Sequence, residues 1–243
     1  MDFLTKVYEF FISIVTNFSD AFYLNFIKDN RWKYLVNGLG VTLRVTLFAV
    51  LIGVAIGFVV AIIRSTHDKT GKLKFLNFLA NVYLTVIRGT PVVVQLLIIY
   101  FIIFGSVRID KVLVAVIAFG INSGAYVAEI VRSGIMSIDP GQMEAGRSLG
   151  FNYIQTMFYI IVPQAFKNVL PALGNEFIVL LKETSVAGYI ALEDLTKGGD
   201  IIRSQTYSAF FPLLTVALIY LAIVMFLSFL LKKLERRLRN NER

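Results

Sequence analysis

The chain has 243 residues, of which 57% are apolar and only 16% charged, with a mean hydropathy of +0.72. An ordinary soluble domain carries about 25% charged residues, so the composition sets aside a soluble enzyme, a disordered chain and a nucleic-acid-binding domain, and points to a polytopic membrane protein. No cysteine and a single histidine (His67) exclude disulfides, thiol catalysis, thiolate metal sites and a histidine metal cluster; the net charge of +8 reads instead as a topology signal.

The first thirty or so residues lack a positive stretch followed by a clean apolar core and a small-residue cleavage site. Glu9 and Asp20 interrupt the apolar pattern, while Phe10, Phe11, Phe22, Tyr23 and Phe26 suit a helix lying on the membrane surface. Residues 1–33 are therefore expected to form an interfacial amphipathic helix, with a sixth span and a signal peptide as the alternatives.

Five hydrophobic segments follow, and about 20 apolar residues are enough to span a bilayer core. They run from about Tyr34 to Ile63, Phe75 to Val107, Val112 to Val131, Pro163 to Ile190 and Ser204 to Leu231. Each is too long for a strand and lacks alternation, so the expected fold class is an all-α membrane protein with a permease domain over residues 34–231. The second segment is interrupted by Arg88-Gly89-Thr90-Pro91, and the fourth is unusually polar. Arg64, Lys69, Lys72 and Lys74 follow the first span, and Lys232, Lys233, Arg236, Arg237, Arg239 and Arg243 crowd the tail at 232–243. Basic loops favour the cytoplasm, so the N-terminus is expected outside and the C-terminus in the cytoplasm. Lys28, Arg31 and Lys33, on the outer side, fit this rule poorly.

The connection at 138–163 falls on the cytoplasmic side. Within it Asp139 suits an N-cap, Pro140 the first helical position and Gly150 the stop, which predicts a short helix carrying small residues at Ala145, Gly146 and Ser148. A plain solvated connector would look similar.

Glu144-Ala145-Gly146, then Gly150, then after nine residues Ile160-x-Val162-Pro163, resembles the EAA loop of ATP-binding-cassette importer permeases. That pattern reads Glu-Ala-Ala, three residues, Gly, nine residues, Ile-x-Leu-Pro; Gly146 and Val162 depart from it. Further blocks look like the polar amino acid branch (histidine, glutamine, glutamate and arginine permeases): Arg88-Gly89-Thr90-Pro91 with Gln95, Gly124 to Arg132, Pro163-Gln164-Ala165 and Lys182-Glu183-Thr184-Ser185. The resemblance covers roughly Asn37 to Leu231 and implies a type I importer permease of the bacterial cell membrane: five core transmembrane helices, working as a dimer with a second copy or a paralogue, two separate ATPase subunits and an extracytoplasmic amino acid-binding protein. It implies a coupling helix on the ATPase at Gln142, Glu144, Ala145, Gly146, Arg147, Leu149 and Gly150. No phosphate-binding loop of the G-x-x-x-x-G-K-[ST] kind occurs, so the chain is expected to be no enzyme and to hold no cofactor, ATP and magnesium belonging to the ATPase.

Ionisable and polar residues within spans are functional hypotheses, because lipid penalises them. Arg88, Thr90 and Gln95 at the break are candidates for a pathway wall or gate, against a structural kink. Asn122, Tyr126 and Glu129 recur on one helical face, against a packing row of Gly120, Gly124 and Ala128. An amino acid needs an acceptor for its ammonium, a role open to Glu176, and donors for its carboxylate, open to Lys182, Thr184 or Ser185; an intersubunit salt bridge is the structural alternative. An ion-coupled secondary transporter is the rival function, disfavoured by the short chain and the lack of an inverted repeat.

Overall fold

The computed structural model describes residues 8–9 and 16–240, and no strand occurs among them. A helical stretch over 16–22 runs through a π turn (Tyr23–Ile27) and a 3-10 turn (Lys28–Asn30) into α1 (Trp32–Thr70). After it come α2 (Lys74–Gly89) and α3 (Val92–Ile98, prolonged by a π turn over Ile99–Ile103). Next are α4 (Lys111–Met136), α5 (Pro140–Ser148) and α6 (Tyr153–Thr156), the last leading through a π turn (Met157–Ile161) into α7 (Val162–Glu183). A 3-10 turn (Thr184–Ile190), α8 (Leu195–Thr206) and α9 (Phe210–Asn240) complete the chain.

Among the described residues, α1, α4 and Phe210–Leu238 of α9 are long and apolar enough to cross a membrane, and α2 with α3 makes a fourth if that pair, bent by 110°, is one broken span. The five expected segments are thus altered in three places. The second is an elbow, because Pro91 follows an extended Thr90 and cannot continue α2. The fourth, covered by α7, carries Asn168, Asn175, Glu176 and Lys182 and falls short of the other spans in apolarity. The last span begins at Phe210 rather than Ser204: Asp194 caps a separate helix, α8, which runs to Thr206 and ends on Tyr207 in the left-handed region at φ 53°.

Apolar side chains gain little from facing one another in lipid, so close packing of small residues decides which helices associate. The most extensive pairing is α1 on α4. A Cβ on Gly57 would stand 2.5 Å from Val127, and one on Gly120 2.8 Å from Ile52, so each glycine admits the facing helix. The row Gly120, Gly124, Ala128 is therefore a packing seam. Around it Val45, Ala49, Leu96, Phe119 and Leu180 join α1, α3, α4 and α7 in one core. By contrast α9 rests on α7 and α8 and leaves Leu218, Leu221, Met225 and Phe229 exposed.

At one end of the bundle, α8 lies against the start of α1. Thr42 Oγ1 accepts from the Leu195 N–H at 3.1 Å, and Gly38 leaves room for the Asp194 carbonyl. Arg31 is buried there, donating to Leu24 O at 2.6 Å and Gln205 Oε1 at 3.2 Å and pairing with Asp29 at 2.8 Å. This accounts for its poor fit to the basic-loop rule: Arg31 fastens the N-terminal segment to α8. Phe26 packs beside it with Leu35, Leu195 and Ile202. Phe18, Phe22 and Tyr23 are exposed; much of the expected interfacial helix, residues 1–7 and 10–15, lies outside the described residues. The opposite end carries α5.

Candidate coupling helix and translocation pathway

The short helix forms where its signals stand. Asp139 Oδ1 accepts from the Gly141 N–H at 2.7 Å and Pro140 occupies the first turn, where a missing N–H costs nothing. At the other end Gly150 adopts φ 88°, the Phe151 N–H reaches Gly146 O at 3.1 Å and the Gly150 N–H reaches Arg147 O at 3.0 Å, which closes a Schellman motif. Asn152 then opens α6 with a reciprocal capping box on Gln155, both bonds 2.9 Å. The polypeptide is thus pinned at every turn from Asp139 to Thr156.

Glu144, Ala145, Arg147 and Leu149 are exposed, Leu149 by 75%. Gly146 is not: it faces inward, and a Cβ would stand 2.5 Å from Thr156 Cγ2 and 2.9 Å from Ile160 Cδ1. The surface that Gly146 admits is the chain's own return. Gln142 Oε1 accepts from Gln164 Nε2 at 3.4 Å, which ties the helix to α7.

Within the bundle the polar candidates fall into separate groups. Gln95 is buried and its Nε2 donates to Ile87 O (2.7 Å), Thr90 O (3.0 Å) and Thr90 Oγ1 (2.8 Å), while its Oε1 accepts from Asn122 Nδ2 at 3.0 Å. An elbow frees carbonyls that lipid cannot satisfy, and Gln95 satisfies them. The break, Gln95 and Asn122 therefore form one structural unit. Tyr83 adds a further tie to α4 through a 2.6 Å bond to Ile121 O.

Arg88 stands at the end of α2 and reaches another group. Glu129 accepts from Arg64 at 2.5 Å on one oxygen, stands 3.5 Å from Arg88 on the same oxygen and 3.4 Å from Arg132 on the other. Glu129 and Arg132 stand three residues apart on α4; Arg64 was read only as a loop charge, and nothing local marks it as a partner. The carboxylate thus joins α1, α2 and α4. Asn122, Tyr126 and Glu129 share a helical face but not a surrounding: Asn122 is buried, Tyr126 is 38% exposed and Glu129 sits among arginines.

Glu176 is buried, and its hydrogen-bond partner among the described residues is Ser123 Oγ, at 2.8 Å. Lys182 is exposed, Thr184 Oγ1 donates back to Leu181 O at 2.8 Å, and Ser185 opens with Tyr189, Lys197 and Asp200 on a cleft of about 370 Å³. The three expected carboxylate donors do not converge. Nearby, burial pushes the Asp194 carboxyl up to about 6, although the N–H groups of Thr196 and Lys197 pull it down.

Residues 53–240 match the family described as the binding-protein-dependent transport system inner membrane component. The chain belongs to that family. This permease is 39% identical over 207 residues to the putative glutamine transport system permease protein GlnP of Rickettsia typhi, covering 84% of this chain and 93% of the other. It is 37% identical over 211 residues to the arginine transport system permease protein ArtQ of Bacillus subtilis (86% and 94% covered) and 40% identical over 199 residues to the glutamine permease GlnP of Escherichia coli K12 (81% and 90%). Among solved structures it is similar to an amino acid ABC transporter described with histidines, at 45% identity and TM-score 0.78, covering 87% of this chain and 98% of that one. The MetNI methionine ABC transporter, at 20% identity, TM-score 0.74 and 85% and 97% coverage, shares the fold. The permease is a multi-pass component of a bacterial cell membrane, and its all-helical fold is that of the type I importer permeases.

Proposed function

We propose that this permease is the transmembrane subunit of an ATP-driven importer of polar amino acids, forming the pathway as a dimer with a second copy or paralogue. Two separate ATPase subunits hydrolyse ATP and hold its magnesium, this chain carries no cofactor of its own, and an extracytoplasmic binding protein delivers the substrate. The N-terminus faces outward and the basic tail inward, so α5 faces the cytoplasm. Residues 1–33 then lie at the outer membrane surface, 34–231 form the permease domain with its coupling connection at 138–163, and 232–243 form the tail.

The observation that carries this reading is the construction of α5. A helix capped at Asp139, closed at Gly150 and tied to α7 moves as a rigid body and transmits a push from an ATPase to the bundle. Glu144, Ala145, Arg147 and Leu149 are the residues it presents, while Gly146 and Gly150 hold its shape. In the membrane, Glu176 is the acceptor for a substrate ammonium, its charge being unmatched by a cation of the described residues within ion-pair distance. Ion-coupled transport is not favoured, because the relatives that this chain matches are subunits of binding-protein-dependent systems.

Reconstitution with the ATPase and binding protein tests the proposal. Uptake of labelled glutamine, arginine or histidine should require ATP, and Glu176→Gln should lower uptake about tenfold or more while leaving complex assembly intact, a loss of about 1.4 kcal/mol or more in the charge-assisted contact. Uptake driven by an ion gradient without ATP would overturn it.

A further inference from the structure

Beside α5 two cavities open next to each other. The larger, of about 530 Å³, is lined by Lys69, Thr70, Pro140, Glu144, Arg147 and others. The smaller, of about 240 Å³, is lined by Ile62, Ser65, Ile154, Met157 and Phe158 among others. Ile135 and Tyr153 line both, so the basic cavity adjoins the apolar one.

Their chemistry is that of an amphiphile. Lys69 and Arg147 against Glu144 leave the larger cavity with one net positive charge, matching a phosphodiester, and Lys72 and Lys74 follow in the same connection. The smaller cavity is mostly apolar, with Ser65, Thr66 and Tyr153 its polar lining residues. Ser65 is only 7% exposed and its hydroxyl has no hydrogen-bond partner among the described residues, so it is open to a polar group that enters the cavity. Ile62 and Lys69 lie seven residues apart on α1, about 10 Å of helical rise. That separation takes a molecule through a headgroup layer, about 5–8 Å thick on each side of the bilayer, and into the first methylenes of the core.

We propose that the paired cavities bind one anionic phospholipid. Its phosphate lies against Lys69 and the Tyr153 hydroxyl, at the edge of the face whose Arg147 meets the ATPase, its glycerol ester reaches the Ser65 hydroxyl, and the start of one acyl chain fills the groove between Ile62 and Phe158. The lipid bridges α1, α4, α5 and the π turn that leads to α7, on the flank of α5 away from its exposed apolar tip at Leu149. Anionic lipid thereby stiffens the lever through which α5 moves the bundle. The site depends neither on the substrate nor on which face of the membrane carries α5.

Native mass spectrometry of the permease–ATPase complex, released from detergent carrying equal amounts of phosphatidylglycerol and phosphatidylcholine, tests it. One phosphatidylglycerol per permease chain should be retained in preference to phosphatidylcholine. Lys69→Gln should lower that retention about fivefold, the loss of one surface-level cation near an anionic headgroup, and Ile62→Trp should lower it by filling the groove. Both positions are exposed on α1, so the fold tolerates these changes. Lys232→Gln, in the tail, should leave retention unchanged. Equal retention of the two lipids, no retention at all, or undiminished phosphatidylglycerol in both Lys69→Gln and Ile62→Trp would overturn the proposal.

Discussion

Gly146 stands where the family pattern has alanine, and its surroundings explain the departure. Thr156 Cγ2 and Ile160 Cδ1 occupy the space that a methyl group would need. Gly146→Ala gains about 1 kcal/mol of helix propensity, but overpacking costs about 1–3 kcal/mol, so the variant should melt at lower temperature. Thr156→Ser removes the clashing methyl and should recover most of the loss in the double variant, as differential scanning fluorimetry would show. Gln95 makes a sharper case. Gln95→Leu keeps the volume and strips four hydrogen bonds from the elbow and Asn122, leaving the buried Asn122 amide and the elbow carbonyls unmet at about 1–3 kcal/mol; an unchanged melting temperature would remove its structural role. The sequence showed both residues but not their direction. A glycine in a short helix looks the same whether it faces a partner or its own chain, and only the return through Thr156 and Ile160 decides it.

Elements were legible in proportion to how local their signals are. The caps at Asp139 and Gly150 lie within a few residues of what they terminate, and α5 formed as read. The spans of α1 and α4 followed from uninterrupted apolar runs. The helix α8 falls mostly in the gap left between the fourth and fifth expected segments, although Asp194 before Leu195 is an N-cap signal; Gly198 and Gly199 let it lie against Tyr34 O and Val216. The meeting of Arg64, Arg88 and Arg132 on Glu129 joins residues up to 68 positions apart, and no local pattern encodes it. Glu129→Gln leaves three guanidiniums without their shared charge. Glu129 is partly exposed, so the expected cost lies between that of surface and buried pairs, about 1–3 kcal/mol, read as a lower midpoint in thermal unfolding. Asp194 supplies a pH dependence. Its folded carboxyl, at about 6, holds its proton more tightly than the unfolded group at 3.8. The contribution of Asp194 to stability is therefore fully present below about pH 4 and is lost through pH 4–6, by up to about 3 kcal/mol. Asp194→Asn retains the capping oxygen and should flatten that decline in melting curves taken from pH 4 to 7.

At the scale of the whole molecule, the proposed function makes one chain half of a machine. On that reading the exposed residues of α5 meet an ATPase; Glu176 bonds Ser123 within the bundle, and α9 leaves a long apolar side exposed. Family membership was readable because the matching blocks are short motifs at fixed spacing. The assignment of individual pathway residues was not, since in the proposed dimer a second permease would complete the wall, and the expected donors Lys182, Thr184 and Ser185 face different surroundings in this chain. The central claim is that α5 seats on an ATPase, and the most direct measurement is co-purification of an ATP-binding-cassette ATPase from the same organism with the natural chain and with Glu144→Lys. The account predicts a stable complex with substrate-stimulated ATP turnover for the natural chain, and loss of bound ATPase for Glu144→Lys while the permease stays dimeric. No ATPase with the natural chain, or full coupling with Glu144→Lys, would contradict it.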